Sequence, residues 1–334
     1  MLLVADGNNL AWAGFHALGR AMGAETPDQK VRAALLGLTQ SVLGLVVRAG
    51  EPPADLARAN GATAPPKTPV TRMAVAFDEG RPLRRRAIFP AYQTGREANP
   101  AFSENERFVL QAVAEFTSAS VFLPFEIVRG VNTEADDLIA SLVAGSAEGP
   151  VRIASTDRDF LQLVDERLSV YSPVKRLVID TANFADVTAP RDSSGAAVPF
   201  PRERYLDFRA ASGDASDDLP GIPGVGPTTA ARLLAAAPLD AYFDNVAMVS
   251  RTLGRRSRKS EAAFWSGEAR AIVERNRGLM DLRRAAAEYP TLDGMCTHGA
   301  WDESAFRAWA REQRIAGIEL EATCRALAAL ATRT

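Results

Sequence analysis

Three short apolar segments, each ending at or beside an aspartate, constrain the fold of this chain most. They are residues 2–5 before Asp6, residues 73–77 before Asp78, and residues 151–155 before Asp157. Helical patterns separate them, and a further strand is predicted near residues 120–122. This alternation predicts an α/β fold, with a mostly parallel central sheet and helices on both faces. Ligands of such sheets bind at the carboxyl ends of the strands, so the three aspartates are expected to share one site.

The length of 334 residues allows about two domains. We predict an α/β core over residues 1–200, with an insertion rich in Ala, Pro and Gly at residues 51–69. Residues 201–334 are predicted to be a helical region, and the tail after residue 300 is expected to be a helical packing element.

Composition removes several classes of function. The chain has a net charge of −2 and only two cysteines, Cys296 and Cys324, and two histidines, His16 and His298. A zinc site, a disulfide framework and a Cys/His nucleophile are therefore not expected. We find no apolar run of the roughly 18 residues of a membrane helix and no basic signal-peptide start, which predicts a cytoplasmic protein without a membrane partner.

Carboxylates cluster where the predicted elements begin or end. The complete set is Asp6, Asp78, Glu134, Asp136, Asp137, Asp157, Asp159, Asp214 and Asp217. Oxygen ligands suit Mg²⁺ or Mn²⁺, and two such ions about 4 Å apart can bind the attacking and leaving oxygens of a phosphodiester. Taken singly, the acids of residues 134–136 are better explained as a helix start and Asp78 as a turn residue, while Asp157 and Asp159 could belong to a loop closed by a local ion pair and residues 214–218 to a capping segment. The set as a whole favours a metal site.

The segment from Leu219 to Ala230 predicts a helix-hairpin-helix motif. Its glycines allow a tight turn, and Pro227 suits the first position of the following helix. The N–H groups of that helix start can bind a phosphate without reading base sequence. The candidate contacts are Gly221, Gly224, Gly226, Thr228 and Thr229. A plain Gly/Pro turn is the alternative.

Basic and aromatic residues follow Asp78, and beside a metal site they fit a channel for single-stranded nucleic acid. They are Arg81, Arg84, Arg85, Arg86, Tyr92 and Arg96. A solvated loop is the alternative. A second basic run, at residues 251–259, is more simply a solvated surface.

Six blocks of the sequence resemble the 5′ nuclease family, which comprises 5′–3′ exonucleases and flap endonucleases. They are Val4-Ala-Asp6-Gly-Asn-Asn-Leu, Ala76-Phe-Asp78, Tyr92-Gln-Thr-Gly-Arg96, Glu134-Ala-Asp-Asp137, Ser155-Thr-Asp157-Arg-Asp159, and Gly213-Asp-Ala-Ser-Asp217 with its hairpin. The family includes the amino-terminal nuclease domain of bacterial DNA polymerase I and phage flap endonucleases. The resemblance runs from residue 1 to about residue 234.

This resemblance implies a two-metal nuclease that cuts DNA at or near 5′ ends, flaps and branch points, in replication or repair. Asp6, Asp78, Glu134, Asp136 and Asp137 would surround one ion, and the remaining four acids would serve the other. Residues 80–108 would form a helical arch. Asp6, Asp78, Arg85, Tyr92 and Arg96 would be catalytic, while Arg81, Arg84, Arg86, Gln93 and the hairpin would bind DNA.

The resemblance also carries expectations about cofactors and partners. The hairpin would bind K⁺ through carbonyl oxygens. RNA primers and a DNA polymerase are further expected partners, and the protein is expected to be a monomer. The length leaves no room for a polymerase domain, so we expect a stand-alone nuclease.

Two departures from the family pattern stand out. Gln93 occupies a place where the family often has a lysine, and a neutral amide can donate a hydrogen bond but brings no charge. Loss of such a donor can cost on the order of a hundredfold in rate. Residues 131–133 lengthen the loop before Glu134. A non-catalytic branched-DNA binding protein is therefore the alternative; a small-molecule phosphatase or a PIN-like ribonuclease would leave the hairpin unexplained.

Overall fold

The structure is a computed structural model that describes residues 1–48, 68–146, 149–254 and 258–333. The predicted insertion at residues 51–69 lies outside these ranges except for its last two residues, as do Arg255 and Arg256 of the second basic run. The chain divides into two compact units. The first comprises Met1–Arg81, Pro100–Ile179 and Ala285–Thr334, and the second comprises Pro82–Asn99 and Asp180–Arg284.

These units divide the chain differently from the boundary that we place near residue 200. The carboxy-terminal tail belongs to the unit that contains the sheet, and residues 82–99, within the predicted arch, belong to the unit that contains the hairpin. Sequence order alone does not show which segments pack together, because both units are built from segments that are distant in the chain.

The first unit is built on a sheet with a parallel centre. Its strands are β1 (Leu2–Asp6), β2 (Arg72–Phe77), β3 (Glu126–Arg129), β4 (Val151–Ala154), β5 (Leu168–Ser172), β6 (Leu177–Ile179) and β9 (Cys296–His298). Within the described ranges they are ordered β6-β5-β4-β1-β2-β3-β9, and only the two edge strands are antiparallel. The order reverses at β1, which makes its carboxyl end the topological switch point where α/β sheets bind ligands.

Helices cover both faces of this sheet, as predicted. They are α1 (Gly7–Met22), α2 (Pro27–Arg48), α5 (Pro100–Ala119), α6 (Ala135–Ala144), α15 (Glu303–Glu312) and α16 (Leu320–Ala331), with short 3₁₀ helices at Ser120–Phe122 and Asp159–Leu163. α1, α2, α5 and α16 pack together around a buried apolar core that includes Leu38 and Phe116. α6 packs against β1, β2 and β3. Glycines let α1 and α2 approach closely, since a Cβ on Gly37 would lie 2.2 Å from Gly14 Cα.

The strand predicted at residues 120–122 is wrong. Ser120–Phe122 is a 3₁₀ helix that continues α5, and the Ser120 hydroxyl donates to the Thr117 carbonyl at 2.6 Å. Val121, a β-branched residue of the kind common in strands, is 66% exposed. The strand of this region is β3, which begins four residues later at Glu126.

Helix α2 differs from the expectation that no apolar segment has the length of a membrane helix. Its 22 residues include an 18-residue window of mean hydropathy 1.4, which is long and apolar enough to cross a membrane. However, 67% of that window is buried inside the protein. Core helices of globular proteins have the same character, so this single helix is weak evidence for a membrane span.

The second unit is mainly helical. It contains α3 (Leu83–Ile88), α4 (Thr94–Ala98), α7 (Phe184–Thr188), α8 (Tyr205–Ser212), α9 (Pro227–Ala236), α10 (Leu239–Asp244), α11 (Ala247–Leu253), α12 (Arg258–Trp265) and α13 (Glu268–Met280). A short ribbon of β7 (Gly213–Asp214) and β8 (Leu219–Pro220) precedes the hairpin, and α14 (Leu282–Glu288) leads back to the first unit. α8 packs against α13 and α9.

Candidate active site

Asp6 is the centre of a buried polar network at the carboxyl end of β1. Only 5% of the residue is exposed, and it caps α1 by accepting the Asn9 N–H at 3.1 Å. Its other oxygen accepts the Ser155 hydroxyl at 2.7 Å. Burial, together with repulsion from Asp78 and Asp157, raises the pKa of Asp6 to about 7. A carboxylate in such surroundings is stabilised by a cation.

Asp78 links the end of β2 to the start of α6. Its Oδ1 accepts the N–H of Ala135 at 2.7 Å, while its own N–H donates to Asn8 Oδ1 at 3.2 Å. The first helical N–H of α6 is therefore capped by Asp78 and not by the side chain of Glu134, which occupies the N-cap position. The capping explanation, which fits Glu134 when it is considered alone, does not hold for this residue.

The remaining acids at the start of α6 differ in exposure. Asp137 is 2% exposed, whereas Glu134 and Asp136 are half-buried. The lengthened loop before them is well formed: Glu79 pairs with Thr133, and Asn132 adopts a left-handed φ of 56° while its side chain accepts the Arg81 N–H at 3.4 Å. The extra residues thus form a turn that pairs with the segment after Asp78.

Asp157 and Asp159 follow β4 in a tight turn. Asp157 Oδ1 accepts the Asp159 N–H at 2.7 Å, and the Asp157 N–H donates to the Ser155 hydroxyl at 3.0 Å. Asn9 Oδ1 accepts both the N–H and the hydroxyl of Thr156, each at 2.8 Å. Asn9 and Ser155 thereby connect the turn to Asp6.

Sequence reasoning missed the supporting residues of this network. Asn8, Asn9, Ser155 and Thr156 lie inside the blocks that carry the resemblance, but only the acids were singled out. Their position next to the acids was the available signal. The charges of Asp78 and Asp157 act on the Asp6 carboxylate, and carboxylate oxygens are ligands that Mg²⁺ and Mn²⁺ prefer. The residues of the first unit therefore fit a divalent ion.

Asp214 and Asp217 lie in the second unit, with carboxylate oxygens within 4.8 Å of each other. Burial acts to raise the pKa of Asp214, but hydrogen bonds from Ser216 and an ion pair with Arg209 hold that pKa below its usual value. Asp217 accepts the Gln93 side-chain amide at 2.9 Å and Arg96 at 3.0 Å. Two of the predicted arch residues thus contact a predicted metal ligand.

The other basic residues of the arch are engaged in structural contacts. Arg85 is 4% exposed, and its Nε donates to the Leu279 carbonyl at 3.0 Å. Tyr92, 5% exposed, packs with Leu279 in a small apolar core, 5.9 Å from the Arg85 guanidinium. Arg86 forms an ion pair with Glu97 at 2.6 Å, and Arg84 is half-buried. Arg81 belongs to the first unit, where it forms an ion pair with Glu106 at 3.7 Å. The catalytic roles of Arg85 and Tyr92 stay predictions.

The hairpin has the predicted geometry. Gly224 adopts a left-handed φ of 78°, Val225 N–H donates to the Ile222 carbonyl at 2.9 Å, and Gly226 caps α9 with Pro227 at its first position. Gly226 and Pro227 are exposed, so the start of α9 is accessible to a phosphate.

Other contacts hold the hairpin in place. Gly221 lies against the Ser212 backbone, where a Cβ would come within 2.4 Å. Thr228, which with Thr229 is half-buried, donates to the Arg191 carbonyl at 3.2 Å. The Gly224 carbonyl accepts the Ser260 hydroxyl at 3.0 Å.

A buried amide, also missed from the sequence, supports the ribbon before the hairpin. Asn276 is fully buried, and its Nδ2 donates to the carbonyls of Ala210 and Pro220 at 2.9 and 3.0 Å. It therefore joins α13 to α8 and β8. A lone Asn in a helical segment gives no sequence signal for this role.

Fold and site together define a class: an α/β protein with an acidic, oxygen-rich site at the switch point of its sheet, and a Gly/Pro hairpin before a helix in a helical unit. The protein-family model for the 5′–3′ exonuclease N-terminal, resolvase-like domain matches residues 1–188 of this chain. The chain belongs to this 5′–3′ exonuclease family, which confirms the resemblance drawn from the sequence.

Individual relatives agree with this assignment. A 5′–3′ exonuclease of Streptomyces coelicolor is 32% identical over 256 residues, covering 71% of this chain and 77% of that protein. DNA polymerase I of Mycobacterium bovis is 33% identical over 287 residues, covering 85% of this chain but 27% of the polymerase. The chain thus spans about a quarter of the length of the DNA polymerase I relatives.

Solved structures confirm the fold. The T5 5′-exonuclease with bound divalent zinc ions matches with a TM-score of 0.56 at 17% identity, covering 99% of both chains. Human GEN1 in complex with Holliday junction DNA matches with a TM-score of 0.56 at 13% identity, covering 99% of this chain and 72% of that one. At such identities the likeness concerns the fold alone.

Proposed function

We propose that this chain is a divalent-metal-dependent 5′ nuclease that hydrolyses DNA phosphodiesters at or near 5′ ends, flaps and branch points, in replication or repair. The observation that carries the proposal is the buried Asp6 carboxylate, flanked by Asp78 and Asp157 at the ends of neighbouring strands. Its support comes from the family and from the bound zinc and Holliday junction DNA of two proteins that share the fold.

Asp6, Asp78, Glu134, Asp136 and Asp137 are proposed to hold one ion. Asp214 and Asp217 are proposed ligands of a second ion, which Asp214 could join only by giving up part of its pairing with Arg209. Two Mg²⁺ or Mn²⁺ ions would polarise the phosphodiester and lower the pKa of an attacking water. Asn9 and Ser155 fix the orientation of the Asp6 carboxylate, because each donates to a different oxygen of it.

The second unit is proposed to supply the contacts to DNA. Arg96 and the Gln93 amide are donors that can bind phosphate oxygens, and the exposed N-terminus of α9 can bind a phosphate of the duplex backbone. A K⁺ ion at the hairpin is proposed on carbonyl oxygens, although the Gly224 carbonyl already accepts Ser260.

The competing function is a branched-DNA binding protein with weakened catalysis. Its support is Gln93 in the place of the family lysine. The complete set of acids and the match to a named exonuclease favour the nuclease.

Cleavage of a 5′-end-labelled flap substrate in Mg²⁺, in Mn²⁺ and in EDTA tests the proposal. Asp157→Asn should lose at least a hundredfold in rate, because the amide keeps an oxygen acceptor for the Asp159 N–H but removes the charge that binds metal. Asp165→Asn is the matched control, since Asp165 also accepts backbone N–H groups in a turn of the same unit, at 2.8 and 2.7 Å. Tight flap binding without cleavage in either metal would establish the binding protein instead.

The proposal extends to the substrates, partner, oligomeric state and location of the protein. Activity on RNA primers, a DNA polymerase partner, a monomeric state and a cytoplasmic location follow from the resemblance and the composition. The name DNA polymerase I of several relatives supports a role beside a polymerase.

A further inference from the structure

A joint between the arch and the hairpin segment lies within the second unit. We name it the arch–loop joint: Gln93, Gly95 and Arg96 on one side, and Ser216, Asp217 and Asp218 on the other. The N–H of Gln93 donates to the Asp217 carbonyl at 3.2 Å, and the N–H of Gly95 donates to Asp218 Oδ2 at 2.7 Å. Arg96 donates to the Ser216 carbonyl at 3.3 Å in addition to its bond with Asp217.

The two adjacent acids of this joint make different kinds of contact. The Asp217 carboxylate accepts side-chain donors, Gln93 and Arg96, and it is a proposed metal ligand. Asp218 is not in the proposed ligand set, and its carboxylate accepts a backbone N–H. A contact to the backbone positions the chain itself, whereas the contacts to Asp217 are ones that a metal ion would compete for.

Backbone geometry shows that the joint is specified on both sides. Gln93 and Asp218 both have a φ of 58°, a left-handed conformation that costs a non-glycine residue roughly 1 kcal/mol and persists where surrounding contacts hold it. Gly95 packs directly on the Asp218 carboxylate, since a Cβ at this position would lie 2.6 Å from Asp218 Oδ1. Any larger residue at position 95 would displace that carboxylate.

On the basis of the proposed nuclease function, we propose that Asp218 is a positioning residue. It anchors α4 to the loop through Gly95, and so keeps the Gln93 amide and the Arg96 guanidinium beside Asp217 when a metal ion takes the Asp217 carboxylate. The two donors are then held ready for the oxygens of the phosphate. Asp218 itself touches neither metal nor DNA.

Hydrogen exchange of the full-length protein in EDTA tests the anchor without any catalysis. In Asp218→Ala, the segment that carries the Gln93 and Gly95 N–H groups should exchange at least about tenfold faster, as expected for the loss of a hydrogen bond to a charged group. Asp218→Asn retains an oxygen acceptor and tolerates the left-handed φ, so it should stay near wild type. Asp180→Ala is the matched control, because Asp180 also accepts backbone N–H groups within the second unit, at 2.9 and 3.2 Å.

Gly95→Ala gives a test of opposite sign. Helix propensity alone predicts that alanine stabilises α4 and slows exchange. The joint predicts faster exchange, because the new methyl group displaces the Asp218 carboxylate.

Single-turnover cleavage of the flap substrate in Mg²⁺ tests the consequence for catalysis. Asp218→Ala should lower the rate at saturating substrate at least about tenfold, with little change in flap binding measured in Ca²⁺, and Asp218→Asn should restore most of the rate. A residue that only stabilised the fold would lower Tm without separating rate from binding.

Unchanged exchange in both Asp218→Ala and Gly95→Ala would overturn the anchor, as would an Asp218→Asn variant that exchanges as fast as the alanine variant. Normal cleavage by Asp218→Ala despite fast exchange would overturn the positioning role. A wild-type protein that cleaves nothing would refute the proposed nuclease and the positioning role that rests on it, and exchange would still decide the anchor.

Discussion

The metal-free protein should become more stable when Asp6 is replaced by asparagine. The pKa of this buried carboxyl is about 7, whereas the ordinary pKa of an aspartate, which applies to the unfolded chain, is 3.8. At 1.36 kcal/mol per pKa unit, keeping Asp6 charged costs the folded state about 4 kcal/mol above neutral pH. Asparagine has the same shape, can still accept the Asn9 N–H and carries no charge, so this cost disappears, although its amide nitrogen cannot accept the Ser155 hydroxyl, which offsets part of the gain.

The sign of the pH dependence follows from the same values. Between about pH 4 and pH 7 the folded protein holds a proton on Asp6 that the unfolded chain releases, so the free energy of unfolding of the wild type falls as pH rises through this window. Above it, the full cost is present. Asp6→Asn should lack this contribution, and in EDTA at pH 8 it should exceed the wild type by about 2–4 kcal/mol.

Urea unfolding at pH 5 and pH 8, in EDTA and in Mg²⁺, measures both effects. Mg²⁺ should stabilise the wild type at pH 8, since an ion that binds only the folded state adds to its stability, and it should stabilise Asp6→Asn far less. Asp165→Asn, which changes an exposed carboxylate, should show no gain at pH 8. An Asp6→Asn variant no more stable than the wild type in EDTA at pH 8 would refute the reasoning.

Two further predictions concern packing and the missing lysine. Gly37→Val should lower the free energy of unfolding, measured in thermal melts, by about 1–3 kcal/mol, because the valine side chain would meet the backbone of Gly14. Gly19→Ala is the control: its Cβ would meet nothing within 4 Å, so it should be neutral or slightly stabilising. Gln93→Lys should raise the single-turnover cleavage rate about 10- to 100-fold if a charge is needed at this position, and an unchanged rate would show that the neutral amide suffices.

The centre of the fold could be predicted from the sequence because buried parallel strands are continuous apolar runs. β1 and β2 show this: β1 ends at Asp6, and Asp78 follows directly after β2, as predicted. The edge strand β9 could not be found in this way. It is three residues long, contains Thr297 and His298, and joins the sheet by pairing with β3, which is far away in the chain.

The candidate site was predictable in residue type but not in its connections. Acids at strand ends and helix starts are visible in the sequence, and so are the glycines of the hairpin. The contacts of Gln93 are not, because its partner Asp217 lies 124 residues further along the chain. Left-handed backbone at Gln93 and Asp218 is equally invisible, since neither residue type requires it.

The acids of the candidate site differ in whether a positive charge lies beside them, a difference that the sequence does not show. Asp6 accepts its hydrogen bonds from neutral donors and lies beside other carboxylates, so its charge is destabilised and its pKa rises. Asp214 is paired with Arg209, and its pKa falls. Binding of a divalent ion should therefore be more favourable at Asp6 than at Asp214. At Asp6 the ion replaces repulsion between carboxylates with attraction, whereas at Asp214 it must compete with the Arg209 guanidinium. The order in which the acids take up metal should follow this difference, because it depends on the partners of each carboxylate and not on the number of acids in the cluster.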